Sequence, residues 1–164
     1  MKTSKQDIEQ AIRQMLEGSE YELITLEISA ENEILVEVDS LKGADVDFCA
    51  ELNRKLVAFL EEKKEPDYSL EVGSVSLTAP FKTKMQYEKH LGQDVEVLVE
   101  VKDEKGKVKG EKLRGQLVSV DDETFSVDVE EKVAVEGKKR KETQVVTKTW
   151  RYEEVEYVRY DLKF

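Results

Sequence analysis

Between Thr3 and Glu17 the apolar residues are Ile8, Ala11, Ile12, Met15 and Leu16, spaced by three and four so that they form one stripe of a helix. Thr3 or Ser4 can cap its start, and Gly18 can end it. The period then falls to two. Ile24, Leu26 and Ile28 alternate with Thr25, Glu27 and Ser29, while Tyr21 and Leu23 ahead of them stand in the opposite phase. Ile34, Val36 and Val38 alternate with Glu33, Leu35, Glu37 and Asp39, so two half-buried strands are joined by Ala30-Glu31-Asn32. After the turn Leu41-Lys42-Gly43, Asp45 can cap a second helix to about Lys64, in which Phe48, Cys49, Leu52, Leu56, Val57, Phe59 and Leu60 keep the helical period. Pro66 and Asp67 break it, and Tyr68, Leu70 and Val72 alternate as a third strand. This order predicts an αββαβ domain: a three-stranded sheet covered by two helices on one face.

Beyond Pro80 the texture changes. Tyr87 and Leu91 belong to a short helical stretch, and strands then follow at Asp94 to Val101, Lys112 to Val120, around Phe125 to Val129, Gln144 to Trp150 and Tyr157 to Leu162. A single helical turn at Tyr152 to Val155 precedes the last. Five short strands with tight turns predict a small SH3-like or Sm-like β-barrel. The chain therefore reads as an α+β protein with an N-terminal domain at 1–80 and a C-terminal barrel at 81–164, hinged at Tyr68 to Phe81.

Charge divides at the same place. The chain of 164 residues carries a formal charge of −11, and charged residues make up 38% of it against a usual roughly 25%. Residues 1–80 hold 8 Lys and Arg against 18 Asp and Glu, whereas residues 81–164 hold 18 against 19. The first half repels a phosphate backbone and suits a basic protein surface; the second can offer local cationic patches to nucleic acid. The absence of a long apolar run argues against a membrane span, and the polar N-terminus against a secretory signal, so a cytoplasmic protein is expected.

Catalytic chemistry finds little to work with. His90 is the single histidine and Cys49 the single cysteine, which argues against a disulfide framework, a histidine metal cluster or a conventional hydrolase triad. Cys49 lies on the apolar stripe of the second helix and reads as a buried thiol. Carboxylates such as Glu31, Glu33, Glu37 and Asp39 fall on strands and turns and are expected to be solvated. Gly106 and Gly110 lack the spacing of a phosphate loop. No enzyme, cofactor or metal is expected. The strongest cationic run is Lys138-Lys139-Arg140-Lys141, between two strands, able to neutralise phosphates or simply to solvate a loop. Trp150 and Tyr152 can stack on bases, although Trp150 also suits a core.

The junction carries a resemblance. Leu70, Glu71, Val72, Ser74, Leu77 and Pro80 match the segment Leu-Glu-Val-Ser-Ser-Pro-Gly-Leu-Asp-Arg-Pro-Leu of the RimP family of bacterial ribosome maturation factors. Collinear agreement extends to Ile34, Val36, Val38 and Asp39, to Gly43, Asp47, Cys49 and Arg54, to Tyr87 through Val95, and to Val155, Arg159 and Phe164. The resemblance implies a two-domain, non-enzymatic factor that binds immature small (30S) ribosomal subunits, with the twelfth small-subunit protein as one known family partner; the charge reading adds rRNA as a contact of the barrel's Lys-rich loop, and a monomer is expected. Thr78-Ala79 stands where the family has Asp-Arg, so that arginine's contact does not carry over; Lys82 and Lys84 are the nearby cations that can take its place, without its bidentate geometry. Candidate ribosome contacts are thus Lys82, Lys84, Lys138, Lys139, Arg140 and Lys141. The competing reading is a general interaction module whose SH3-like barrel grips a peptide.

Overall fold

The computed structural model describes residues 1–137 and 139–162; Lys138 and Phe164, named above, lie outside the described residues. The protein is α+β, with three α-helices and two sheets among the described residues, and it divides into two compact units, Met1–Ser76 and Leu77–Phe164.

In the first unit, α1 (Lys5–Leu16) begins at Ser4, whose Oγ accepts the Asp7 N–H at 3.1 Å, so Ser4 rather than Thr3 is the cap. Strands β1 (Glu22–Ile28) and β2 (Glu33–Asp39) pair antiparallel, and α2 (Val46–Glu62) crosses over to bring β3 (Ser69–Ser74) parallel to β2. The β1–β2 ladder slips between Leu23 and Thr25, leaving Ile24 as the extra residue of a bulge. That bulge explains the change of phase along β1: Leu23, opposite Val38, and Leu26, opposite Val36, both pack into the helix-covered core. Ile8 and Ile12 of α1, Leu56 and Leu60 of α2, and Val36 and Val38 of β2 are fully buried there. Each such side chain contributes about 1.5–3 kcal/mol through the water it sheds.

Local chemistry ends these elements. Gly18 turns the chain out of α1 at φ +79°, but α2 closes with Lys64 in the same left-handed region at φ +58°. The Lys64 N–H bonds Glu61 O at 2.9 Å and the Glu65 N–H bonds Leu60 O at 3.1 Å, the pair that defines a Schellman motif. Glu65 then ties the N-terminal segment down by accepting from Thr3 N–H at 2.5 Å and Thr3 Oγ1 at 2.7 Å. Asp39 departs from the expected solvated carboxylate: it is buried, with Oδ1 accepting the Ser40 N–H at 2.9 Å.

The second unit opens with α3 (Lys84–Lys89) and continues through β4 (Asp94–Lys102), β5 (Val108–Val120), β6 (Thr124–Val133), β7 (Glu142–Arg151), a 3₁₀ turn (Tyr152–Glu154) and β8 (Tyr157–Tyr160). The ladders run β7-β6-β5-β4-β8, and among the described residues no ladder joins β7 to β8. β5 starts earlier than its apolar pattern indicates, because the β4–β5 ladder continues to Lys102 and Val108 around a turn in which Asp103 Oδ1 accepts from Lys105 N–H at 2.9 Å and Lys107 N–H at 2.8 Å. Val95, Val97, Leu117, Phe125, Val127 and Val158 form the buried centre, and Trp150 packs partly buried against it. Gly115 on β5 is demanded by the fold: a Cβ there would lie 2.0 Å from Asp128 O.

Candidate functional site

Lys82 and Lys84 flank Thr83, the residue that caps α3. Gln86 Oε1 accepts the Lys82 N–H at 2.7 Å and the Thr83 N–H at 3.3 Å. Thr83 faces the Gln86 N–H in the manner of a capping box, but its buried Oγ1 lacks a hydrogen bond of proper geometry. The segment is anchored by Phe81, whose N–H bonds Val158 O at 2.8 Å and whose ring stacks on His90 at 4.6 Å. His90 is buried, and its Nδ1 donates to Gln86 O at 2.8 Å. A cleft of about 360 Å³ opens beside these residues, with Phe81, Tyr87, Tyr152 and Tyr157 in its walls and Lys82, Lys84 and Asp122 among its polar groups.

Lys84 is not an uncommitted cation. Its Nζ lies 2.5 Å from Asp122 Oδ1, in the β5–β6 turn, and 3.5 Å from Glu88 Oε1. The hydrogen bond to Asp122 raises the Lys84 ammonium above its ordinary value and lowers the Asp122 carboxyl below its own. Any phosphate reaching Lys84 therefore competes with a carboxylate already in place. Lys82 is exposed at the surface.

Lys139, Arg140 and Lys141 are exposed where the chain turns from β6 into β7. The ladder register places this group far from Lys84. Thr124, two residues after Asp122, pairs with Arg151 at one end of β6–β7, and Val133 pairs with Glu142 at the other. Nine residue steps at about 3.3 Å separate these ends by about 30 Å. The candidate cations thus form two groups at opposite ends of one ladder rather than a single patch.

The alternation of β4 concealed a third cluster. Val95, Val97 and Val99 face the core, which makes Glu96 read as a solvated outer residue. It is instead 2% exposed. Cross-strand register sets Glu96 opposite Arg114 of β5 and Arg159 of β8. Arg114 Nη2 donates to Oε1 at 3.0 Å, while Arg159 Nε at 2.7 Å and Tyr157 Oη at 2.9 Å donate to Oε2. Burial alone would raise this carboxyl, but the bonds from Tyr157, Arg159 and Arg114 together outweigh it and hold Glu96 below the ordinary glutamate range. The result is two guanidinium groups gathered on one carboxylate, with Arg114 Nε also 4.0 Å from Asp161 Oδ1 and the Arg159 guanidinium over the Tyr157 ring at 5.2 Å. A Glu between two valines on a strand, with arginines on two later strands, was the only sign in the sequence.

Cys49 is buried, and that burial, aided by Asp45, raises its thiol above the ordinary value, so it stays protonated at neutral pH. Among the described residues no group of three or more His, Cys, Asp or Glu is placed to hold a metal ion, and no helix is long and apolar enough to cross a membrane.

Residues 11–77 match the family model for the RimP N-terminal domain. Over 145 residues the chain is 34% identical to the Ribosome maturation factor RimP of Porphyromonas gingivalis strain ATCC 33277, an alignment that covers 87% of this chain and 90% of that relative. The protein of the same name from strain W83 matches to the same extent. An alignment that continues through both the helix-covered sheet and the second unit, at this identity, shows that the chain belongs to the RimP family of ribosome maturation factors.

Proposed function

We propose that this protein is a non-enzymatic assembly factor that binds immature small ribosomal subunits transiently and promotes their maturation in the cytoplasm. The observation that carries the proposal is the 34% identity over 87% of the chain to relatives named ribosome maturation factors. In this reading the chain acts as a monomer of two domains, 1–80 and 81–164, and the β7-β6-β5-β4-β8 sheet wraps its core as a small SH3-like or Sm-like barrel. The acidic first domain meets a basic ribosomal protein. Lys82, Lys84 and the exposed Lys139, Arg140 and Lys141, with Lys138 beside them in sequence, meet rRNA phosphates. Work of this kind needs complementary surfaces rather than a reacting group.

Sedimentation on a gradient tests the proposal. The protein should travel with small subunits from cells depleted of it and leave them as salt rises, because phosphate contacts release counterions. The cleft walled by Phe81, Tyr87, Tyr152 and Tyr157 favours the second reading, a peptide-gripping module, which would remain at the top of the gradient. Normal small-subunit accumulation and normal rRNA end-processing in cells lacking the protein would sink the first reading.

A further inference from the structure

The sheet of the first unit has two faces, and only one carries helices. On the other face the register lines up Glu27 of β1, Leu35 of β2 and Glu71 of β3 in a single row across all three strands. Glu33 and Glu37 stand two residues to either side of Leu35 on β2, and therefore on the same face. Leu35 is thus the centre of a cross whose four arms are carboxylates. Glu27, Glu33 and Glu71 are exposed, while Leu35 and Glu37 are half-buried. A hollow of about 720 Å³ lies here, lined in part by Glu27, Glu33, Leu35 and Glu71. Gly73, opposite Glu37, adds no side chain, and a Cβ built on it meets nothing within 4 Å.

Neighbouring like charges on a sheet repel one another. Several exposed carboxylates elsewhere have a cation beside them, as Glu9 has Arg13, Glu51 has Arg54 and Asp122 has Lys84. Among the described residues none of the four glutamates around Leu35 is in an ion pair. The arrangement sets an apolar floor inside an anionic rim. Lysine and arginine side chains fit such a surface, because their methylene stems cover a leucine while their charged ends reach carboxylates at its edge. A nucleic-acid strand is excluded by charge of the same sign.

We propose that this open sheet face is a docking surface for an extended lysine- and arginine-rich polypeptide segment, running along β2 with its stems on Leu35 and its cations on Glu27, Glu33, Glu37 and Glu71. The proposal rests on the reading of the protein as a small-subunit binder and specifies which surface of its acidic domain meets a basic protein.

The test compares the full chain with two variants of equal charge change: E27Q/E33Q/E71Q on the face, and E17Q/E20Q/E62Q at exposed positions away from it. All six positions are exposed, so both variants should fold, as circular dichroism will verify. The probe is a short fluorescein-labelled peptide of alternating arginine and alanine, read by anisotropy at physiological salt. The face variant should bind it about tenfold more weakly, as the loss of three charge contacts implies, and the control should stay within about twofold. Equal losses in the two variants, or no loss in the face variant, would overturn the docking surface. Co-sedimentation with immature small subunits separates this inference from the function beneath it. If the wild-type chain co-sediments and the face variant does so equally well, the face is wrong and the function stands. If the wild-type chain fails to co-sediment while the peptide arm behaves as expected, the functional reading falls and the surface remains.

Discussion

Arg159 Nε lies 2.7 Å from Glu96 Oε2, and the two residues stand directly opposite each other on the β4–β8 ladder. The Glu96 side chain is 3% exposed and that of Arg159 38%, so the contact spans the boundary between protein and solvent. β8 is four residues long and, among the described residues, pairs only with β4, so this ion pair and the Tyr157 hydroxyl bond to the same carboxylate add to the ladder that holds the last strand to the sheet. Glu96→Ala leaves two guanidinium groups without their shared acceptor and should cost about 2–3 kcal/mol, less than the roughly 3–5 kcal/mol for breaking a fully buried pair because both arginines still reach water. Urea denaturation will measure it. A midpoint unchanged from wild type would show that the cluster does not hold β8.

The same cluster makes stability depend on pH. Glu96 is held below its ordinary value of 4.5 when folded, so the unfolded chain takes up a proton before the folded one does. Its stabilising effect is complete above that ordinary value and is lost as pH falls through the lower folded value. The stability difference between the wild type and Glu96→Gln should therefore be constant near neutrality and shrink in the acid range below about pH 4.5. Denaturation curves for both proteins across that range will show it.

Gly115 has a steric role. With Asp128 O only 2.0 Å from a built Cβ, Gly115→Ala forces β5 away from β6. The loss should be about 1–3 kcal/mol or more, as for other overpacked positions, and should appear as a lowered Tm.

Lys64 invites the opposite change. A non-glycine residue in the left-handed region is strained, and Lys64 occupies it at φ +58° with its side chain exposed. Lys64→Gly should stabilise the first unit by about 0.5–1 kcal/mol, raising the urea midpoint, because relief of strain at the end of α2 exceeds the extra freedom glycine gives the unfolded chain.

Asp122 tests whether Lys84 meets phosphate. Asp122→Asn removes the carboxylate bonded to the Lys84 ammonium and leaves Glu88 at 3.5 Å as the remaining anion. If Lys84 contacts rRNA, the variant should bind small subunits more tightly and with a steeper dependence on salt. Unaltered binding would remove Lys84 from the contact surface.

The periodicity of apolar residues determined the elements and their inner faces. The i, i+3, i+4, i+8 spacing of Ile8, Ala11, Ile12 and Leu16 marked α1, and the alternation of Val95, Val97 and Val99 marked β4, since burial of one face is a property of the local repeat. Even the bulge at Ile24 left its trace, as the change of phase after Leu23. The collinear residues around Leu70 to Pro80 were enough to indicate the family. What tertiary structure alone decided was which outer-facing residues meet. Glu96 became a buried acceptor because β5 and β8 flank β4 and bring Arg114 and Arg159 beside it, though they lie far along the chain. Lys84 acquired Asp122 from a turn thirty-eight residues away, and the cations near residue 140 came to lie at the opposite end of the β6–β7 ladder from it. Polar side chains carry no period that names their partner; strand order and register choose it, and those are set by the packing of the whole sheet.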